Sequence, residues 1–388
     1  MKLTTQGTKE KRAVLRKICM GLMVLSMGAV TALSALYPMA DANGEPSEPL
    51  PLRARVVLYL QDAPTLAISQ ENAGQVDQIN YAFALIENGE ATVSHLKGLS
   101  AVRRFLRANP QVDGLLSVGG WGADGFSQAC ATEEGRQRLA DSILRVMDEN
   151  GFNGVDIDWE YPGSTVAGIA SNEDDVENWY ALLALLRSEL DQRQAEHGRD
   201  YLLSVALGAG SAQIAAVDGG RLNALVDQAV VMAYDLMGFD RMTGHHAGLY
   251  PDGMTTLSGA YAVNAYAASG LAEAKILLGV PAYGRMWRQV SSTGDGLNAR
   301  AATSGNKAVT QSAIRGYLAD GYTRYWDEEA QAPYLFDGTN FISYDDAESI
   351  QAKGQWIRAN GLLGAALWEG SQDEDGQLLR VLSEALVQ

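Results

Sequence analysis

Short apolar runs alternate with longer amphipathic stretches along the chain after residue 52. The apolar runs are rich in β-branched and aromatic residues, which favours strands, whereas the stretches between them repeat their apolar positions at helical spacing. The predicted strands are 55–60, 78–86, 114–121, 154–161, 201–207, 228–234, 275–283 and 364–368. The clearest predicted helices are 133–150, 175–197, 257–274, 346–360 and 375–387. This alternation is typical of α/β proteins.

Eight strands, each followed by a helix or helix-like segment, predict a (β/α)8 TIM barrel. An open, doubly wound sheet is the alternative. Such a sheet rarely needs eight units, and no glycine-rich phosphate loop follows the first predicted strand. The barrel is therefore the favoured architecture.

The connection between the seventh and eighth predicted strands is much longer than an ordinary βα loop. It contains a helical pattern at 313–320 and aromatic runs at 322–326 and 333–336. We therefore expect a small α+β insertion at 286–340, beside the barrel rim where active sites of this fold lie. The predicted barrel comprises residues 53–285 and 341–388.

The first 42 residues are typical of an export signal. A basic stretch precedes a long apolar run at 18–36, and Ala40-Asp41-Ala42 forms a small-x-small cleavage pattern. We expect a signal peptide at 1–42 and a secreted or periplasmic protein. Because the apolar run is nearly long enough to span a bilayer, an uncleaved membrane anchor is the alternative. The proline-rich, polar residues 43–52 predict a short linker.

The chain is acidic, with a formal net charge of -17, although its first 42 residues carry six basic side chains and only two acidic ones. Nucleic acids and anionic membranes would repel such an acidic protein, so neither is an expected partner. A neutral polysaccharide meets no such repulsion. The acidity is equally compatible with a role in solubility alone, so it excludes partners without identifying one.

The segment 154–161 places three acids at alternate positions: Asp156, Asp158 and Glu160. Side chains of a strand alternate between its two faces, so all three carboxyls face the same way, which in a barrel strand is the interior. Burial and mutual repulsion oppose ionisation, so at least one carboxyl should stay protonated near neutral pH. A protonated carboxyl at the end of a strand is what protonation of a glycosidic oxygen requires.

A metal site or a salt-bridged core cluster is the alternative interpretation of these acids. Three acids on one strand point along a line, whereas a metal needs ligands around a sphere. The segment also contains no Lys or Arg that could neutralise the acids. The pair His245-His246 stands in a glycine-flanked loop without a further His nearby, so we expect no metal there, and the chain shows no cofactor motif.

The acid segment, with Phe152-Asn153-Gly154 at its start, resembles the D-x-x-D-x-D-x-E signature of family 18 glycoside hydrolases, the chitinase family. Further segments of this chain resemble other motifs of that family. They occur in order along the chain, on the strands predicted above. They are Ser117-Val118-Gly119-Gly120-Trp121 on strand three, Met232-Ala233-Tyr234-Asp235 on strand six, 279–285 on strand seven and Trp368 at the end of strand eight. The resemblance covers about residues 53–388. One departure is Asn153, which replaces the first acid of the signature just before the strand.

The resemblance implies a substrate-assisted mechanism, in which the N-acetyl oxygen of the sugar attacks the anomeric carbon. Glu160 would be the acid that protonates the leaving oxygen and later activates water. Asp158 would hydrogen-bond the acetamide N–H, and Asp156 would share a proton or hydrogen bond with Asp158. Tyr234 would donate its hydroxyl to the acetamide oxygen.

The resemblance also implies a set of substrate-binding residues. Trp368 would form the floor of the cleavage subsite, Trp121 would lie on the leaving-group side, and Asp235 would help to hold the distorted sugar. The remaining candidates are Met232, Tyr283 and Arg285 near the rim, and Ser117 and Tyr59 as hydrogen-bonding partners of the aspartates. Trp287 and Trp326 are candidates to line the cleft through the insertion, with core packing as the alternative.

We therefore expect a retaining hydrolase of β-1,4 N-acetylglucosamine linkages, with chitin or its oligosaccharides as partner. One alternative keeps hydrolysis but acts on peptidoglycan or the N-glycan core. A second is a non-catalytic chitin-binding lectin on the same fold. Such lectins typically lose the catalytic glutamate, so the presence of Glu160 argues against this possibility.

Overall fold

The computed structural model describes residues 54–387. The predicted signal peptide 1–42 and linker 43–52 lie outside the described residues. No helix within 54–387 is both long enough and apolar enough to cross a membrane.

Eight parallel strands form a closed barrel at the centre of the described region. The first strand pairs with the second, with Tyr59 opposite Asn80, and also with the eighth, with Val57 opposite Ala366, which closes the ring. The barrel strands, numbered 1 to 8 in chain order, are Arg55–Gln61, Gln78–Glu87, Asp113–Gly119, Gly154–Asp158, Leu202–Gly208, Gln228–Met232, Ile276–Pro281 and Gly364–Trp368. The predicted (β/α)8 barrel is confirmed. A short strand, Glu90–Thr92, extends strand 2 as an antiparallel hairpin.

Helices surround the barrel, and their ends follow local signals in the sequence. The helix Glu133–Asn150 begins where the Thr132 hydroxyl accepts from the Gly135 N–H at 3.0 Å, and it ends at Gly151, whose φ of 74° suits glycine. The other helices outside the insertion are Leu99–Ala108, Phe126–Cys130, Asp175–His197, Ser211–Ala215, Gly219–Leu225, Gly259–Ala268, Ala347–Ala359 and Gln377–Ala385. Single 3-10 turns occur at Glu71–Gln75, Glu273–Lys275 and Gly370–Gln372.

An antiparallel five-stranded sheet with one helix, Gln311–Ala319, stands between strands 7 and 8 of the barrel. In spatial order its strands are Lys307–Thr310, Tyr283–Trp287, Phe341–Ser343, Ala332–Phe336 and Thr323–Asp327. A two-stranded ribbon, Val290–Ser291 with Arg300–Ala301, accompanies it. The predicted insertion is therefore present as an α+β unit. Its sheet extends beyond 286–340, because residues 283–285 and 341–343 pair with each other and with neighbouring insertion strands.

A buried ion pair ties the helix Ala347–Ala359 to the residue Asp345, which stands just before it. Lys353 Nζ donates to Asp345 Oδ2, and the two side chains are only 3% and 1% exposed. Ser349 Oγ donates to the other oxygen of Asp345 at 2.7 Å. The pair is thus completed by a hydrogen bond, as a buried charge requires.

Lys353→Met is expected to lower the free energy of unfolding by about 3–5 kcal/mol, because it leaves the Asp345 carboxylate buried without its cation. Urea denaturation of the variant and the wild type would measure this difference. Arg221→Met is the matched control, because Arg221 pairs with Glu177 on the exposed surface and should change stability little. Equal losses in the two variants would contradict the assignment.

Candidate active site

A cleft of about 590 Å³ opens at the carboxyl ends of the barrel strands. Nine of the twelve site residues predicted from the sequence line it: Trp121, Asp158, Glu160, Met232, Tyr234, Asp235, Tyr283, Arg285 and Trp368. The other three, Tyr59, Ser117 and Asp156, lie beneath its floor, where all three are buried. The structure therefore gathers the predicted residues into one site with two layers.

Strand 4 and the residues just after it carry the acid series, by which we mean Asp156, Asp158 and Glu160. Asp156 and Asp158 belong to the strand Gly154–Asp158, and Glu160 follows two residues beyond its end. Their exposed fractions are 0%, 4% and 9%. The series thus rises from the barrel interior to the floor of the cleft, and only its upper members can meet a ligand.

Asp156 is held by donors from strand 3, which pairs with its own strand, and from strand 1, which does not. The Tyr59 hydroxyl donates to Asp156 Oδ2 at 2.9 Å, and Ser117 Oγ donates to the same oxygen. Ser117 stands directly opposite Asp156 in the pairing of strands 3 and 4. Burial raises the pKa of Asp156, while these donors lower it. The net shift of its pKa is upward, but the two hydroxyl donors favour the ionised form of Asp156.

Asn153, which replaces the first acid of the family signature, lies at the start of strand 4, away from the cleft. Its side chain accepts from the Gly114 N–H at 2.8 Å and donates to Asp113 Oδ1 at 2.8 Å. These contacts tie strand 3 to strand 4 at the opposite end from the acids. The asparagine therefore fills a structural position.

Asp158 and Glu160 cannot both be ionised easily. Burial, followed by the charges of Glu160 and Asp156, raises the pKa of Asp158 well above its usual value. Burial raises the pKa of Glu160 to about 7, against a hydrogen bond with Tyr161 that lowers it. Near neutral pH the site therefore retains protons on its upper carboxyls, and Glu160 can deliver one into the cleft.

Asp235 follows strand 6 in a left-handed backbone conformation, with φ at 56°. Its Oδ1 accepts from the Tyr283 hydroxyl at 2.9 Å and from Arg285 Nε at 2.7 Å, and its Oδ2 accepts from Arg285 Nη2. Burial would raise the pKa of Asp235, but the nearby His246 ring and the hydrogen bonds from Arg285 outweigh it and hold the pKa far below its usual range. Asp235 is therefore a fixed anion with both oxygens engaged.

Tyr234 stands between this anion and the acid series. Its ring packs edge-on against Tyr283, with the centroids 6.3 Å apart. Burial, followed by the charges of Tyr283, Asp158 and Glu160, raises its pKa well above the usual value. The phenol is thus kept neutral and can act as a hydrogen-bond donor.

Aromatic side chains shape the cleft. Trp368 ends strand 8, where its ring contacts Tyr59 edge-on at 5.4 Å and Phe83 at 5.6 Å between centroids. Trp121 is 59% exposed at the rim and lies 6.5 Å from the ring of Tyr161. Both indoles present surface to the cleft that a sugar ring could cover.

Two further tryptophans do not line this cleft. Trp287 is fully buried in the insertion, where it packs edge-on against Phe341 and donates to the Asp240 carbonyl at 3.2 Å. Trp326 lies on the outer strand Thr323–Asp327, beside the guanidinium of Arg324. The hypothesis that these two residues line the cleft is wrong, because the sheet that carries them directs both side chains elsewhere.

Several cleft residues were missed from the sequence. They are Gln61, Phe83, Tyr161, Gln213, Asn306 and Glu369. Phe83 lies within an irregularity in the pairing of strands 2 and 3, between Tyr81 and Ala84, which changes the simple inward alternation. Tyr161 directly follows Glu160, the last residue of the acid series, and its position there was the available signal. Gln61 ends strand 1, Gln213 lies in the short helix Ser211–Ala215, and Asn306 and Glu369 lie on loops; none of the four belongs to a local pattern.

The adjacent histidines have separate partners. His245 Nε2 lies 2.9 Å from Asp327 Oδ2, and His246 Nδ1 lies 3.6 Å from Asp235 Oδ1. Both rings are buried. Within residues 54–387 no group of three or more His, Cys, Asp or Glu side chains is arranged to hold a metal ion.

The sequence model of Glycosyl hydrolases family 18 matches residues 55–373. Chitinase A1 from Niallia circulans is 34% identical over 74% of this chain and 44% of its own length. Chitotriosidase-1 from Mus musculus is 31% identical over 74% of this chain and 65% of its own length. The chain therefore spans about half to two thirds of these curated relatives.

Solved structures agree with the same grouping. A family 18 N-acetylglucosaminidase from Paenibacillus barengoltzii is 37% identical, with a TM-score of 0.81 over 86% of this chain and 99% of the other. A mutant of class V chitinase from Nicotiana tobaccum in complex with NAG4 is 26% identical, with a TM-score of 0.75 over 86% of this chain and 99% of the other. The resemblance inferred from the motifs is confirmed.

Proposed function

Because the chain belongs to glycosyl hydrolase family 18, we propose that it hydrolyses β-1,4 N-acetylglucosamine linkages in chitin or chitooligosaccharides. The observation that carries this proposal is Glu160, a cleft carboxyl whose pKa is raised to about 7 by burial. A relative of the same fold binds NAG4. The proposed reaction retains the anomeric configuration.

The first step is proton donation by Glu160. A general acid works best when its pKa lies near the working pH, since it is then both protonated and ready to give up the proton. Glu160 meets this condition, and it faces the open cleft above Asp158. As the glycosidic bond breaks, the proton passes to the leaving oxygen and Glu160 becomes a carboxylate.

The acetamide of the substrate supplies the nucleophile in this proposal. A glycosidase with a protein nucleophile needs a second, ionised carboxylate beside the anomeric carbon. Besides Glu160, the cleft contains Asp158, Asp235 and Glu369. Asp158 holds a proton, Asp235 is bound by Arg285 and Tyr283, and Glu369 accepts from the Ser371 N–H and hydroxyl. None of them offers a free anion, which favours attack by the acetamide oxygen.

Asp158 and Tyr234 would position that acetamide. Asp158 accepts from its N–H and Tyr234 donates to its oxygen, which orients the group and stabilises the positive charge that develops on the oxazolinium intermediate. The Glu160 carboxylate then takes a proton from water, which attacks the anomeric carbon from the side that the leaving group vacated. Two inversions restore the β configuration.

Hydrolysis of N-acetylglucosamine hexamer, with the anomeric form of early products followed by NMR, tests the proposal directly. Products that first appear as the β-anomer would support it. Early α-anomer would overturn the acetamide route, and binding without turnover would favour the lectin alternative. Peptidoglycan fragments and N-glycans are the substrates to examine if the hexamer is neither cut nor bound.

A second candidate is release of single sugars from the chain end. The relative from Paenibacillus barengoltzii is named an N-acetylglucosaminidase, and it covers 86% of this chain. The hexamer separates the two modes, because monomer as the first product indicates terminal cleavage, whereas dimers to tetramers indicate cleavage within the chain.

The proposed acid predicts how the rate depends on pH. Glu160 must be protonated in the free enzyme, so kcat/KM should fall about tenfold per pH unit above about pH 7. A profile measured from pH 4 to 10 on a soluble oligomer would test this. Activity that stays level to pH 9 would exclude Glu160 as the general acid.

Trp368→Ala should raise KM for the oligomer about tenfold or more, because the sugar loses an apolar face on which it stacks. Trp326→Ala is the matched control, since this half-buried indole lies away from the cleft and should leave KM unchanged. Steady-state kinetics of both variants would measure the difference. The same KM in the two proteins would remove Trp368 from the binding surface.

We also propose that residues 1–42 direct export of the protein. Their basic, apolar and small-residue segments support this. Amino-terminal sequencing of the protein recovered outside the cytoplasm would test it. A chain that begins near residue 43 is the expected result, and an intact leader held in the membrane would favour the anchor.

A further inference from the structure

Polar side chains are buried inside the barrel beneath the acid series. Gln78 and Asn80 both belong to strand 2, and both are fully buried. Asn80 stands directly opposite Tyr59 in the pairing of strands 1 and 2, and Tyr59 donates its hydroxyl to Asp156. Asn80 therefore lies at the level of Asp156, within the layer that supports the catalytic carboxyls.

Gln78 determines which way the Asn80 amide faces. Gln78 Nε2 donates to Asn80 Oδ1 at 2.7 Å. With its oxygen engaged by Gln78, Asn80 turns its amide nitrogen toward the remaining side of the barrel interior. An amide nitrogen can only donate, so this side of Asn80 requires an acceptor.

Asp156 offers a suitable acceptor at this level of the barrel. Within residues 54–387, Asn80 Nδ2 and Asp156 Oδ1 are both buried, and each lacks a hydrogen-bond partner of good geometry. Leaving a buried donor and a buried acceptor unmatched is costly, and pairing the two removes both penalties. Burial raises the pKa of Asp156, and the neighbouring Ser117, Ser204, Tyr59 and Asn80 side chains limit this rise.

We propose that Asn80, oriented by Gln78, is a positioning residue that donates to Asp156 and keeps this carboxyl ionised, so that the proton of the aspartate pair stays on Asp158. The inference rests on the proposed function, since it concerns the same reaction. A neutral Asp158 is useful there, because Glu160 becomes an anion when it protonates the leaving oxygen, and an ionised neighbour would oppose that step.

The charge state of Asp156 depends on all the polar groups that face it. From the surrounding strands these are Tyr59, Asn80, Ser117, Asp158 and Ser204, with Glu160 and Tyr234 acting beyond Asp158. Within this set, Asn80 is a neutral donor that cannot titrate. Its replacement therefore removes a hydrogen bond from Asp156 without adding or removing a charge.

Asn80→Leu and Gln78→Met test the inference. The first removes the donor, and the second frees the amide to rotate. Carbon-13 NMR of carboxyl-labelled aspartate should show Asp156 titrating about one pH unit higher in Asn80→Leu, with a smaller shift in Gln78→Met. On the hexamer, kcat should fall about tenfold in Asn80→Leu while KM changes less than about threefold.

Gln228→Met is the matched control, because Gln228 is another buried glutamine that begins a barrel strand. It should lose as much folding stability as Gln78→Met without moving the Asp156 titration. The inference is overturned if Asn80→Leu titrates like the wild type, or if Gln228→Met shifts Asp156 equally. If Asn80→Leu does not fold, the titration of Gln78→Met decides. A wild type that cuts no oligomer would refute the proposed function, whereas the titrations would still decide the role of Asn80.

Discussion

Glu160→Gln is expected to lower kcat for N-acetylglucosamine oligomers by about a thousandfold, with KM nearly unchanged. The glutamine amide matches the carboxyl in shape. Because Glu160 is only 9% exposed, this replacement should leave the form of the cleft unchanged, and the substrate should still enter it. The amide has no acidic proton, however, and the leaving sugar would have to depart as a poorly stabilised alkoxide. Steady-state kinetics and an oligomer-binding assay on the same preparation would separate these two effects.

A change of leaving group tests more directly whether Glu160 acts as the acid. A 4-methylumbelliferyl glycoside departs as a stable phenolate and needs little protonation, so its first, bond-breaking step should suffer much less in Glu160→Gln than that of the natural oligomer. Glu134→Gln, which makes the same change on an exposed helix, should leave both rates unaltered. An equal loss on both substrates would show that Glu160 does not act as the acid.

Asp158→Ala is expected to lower kcat by about a hundredfold or more. The acetamide would lose the acceptor that orients its N–H, and the N–H of the positively charged intermediate would lose the same hydrogen bond. Folding should not suffer, since Asp158 Oδ1 is buried without a partner within residues 54–387, and removal of such a group relieves a cost. Thermal unfolding and steady-state kinetics would measure both effects.

Asp158→Ala and Glu160→Gln should differ in how their rates depend on the leaving group. A better leaving group does not orient the acetamide, so the methylumbelliferyl substrate should lose as much rate as the oligomer in Asp158→Ala, unlike in Glu160→Gln. Retention of more than about a third of wild-type activity in Asp158→Ala would contradict a direct role for this carboxyl. A selective rescue by the leaving group would instead place Asp158 in the protonation step.

Local patterns in the sequence were sufficient to predict the barrel and the centre of its chemistry. The apolar runs, separated by stretches of helical periodicity, predicted eight strands and their order. This works because an element that buries one face repeats its apolar residues at its own structural period. The spacing of Asp156, Asp158 and Glu160 placed them on one face of one strand, since alternation is a property of the strand itself.

Only the tertiary structure decided which distant residues complete the site. Asp235 meets Tyr283 and Arg285 across about 50 residues, and these partners stand on a strand that belongs to the insertion sheet. The sequence predicted the insertion but placed its boundary inside that strand, because strand pairing beyond a barrel edge leaves no local signal. The buried position of Trp287 and the entry of Phe83 into the cleft likewise depend on sheet packing and on an irregular register.

The protonation of the acidic side chains was likewise determined partly by the sequence and partly by the tertiary structure. The order of residues determined that three carboxyls would crowd together, but not which of them would hold the protons. That distribution depends on donors supplied by other strands: Tyr59 and Ser117 to Asp156, and Arg285 to Asp235. Such donors lie far apart in the chain and become neighbours only when the barrel closes, because strands 1 and 8 must pair before its interior is shielded from water.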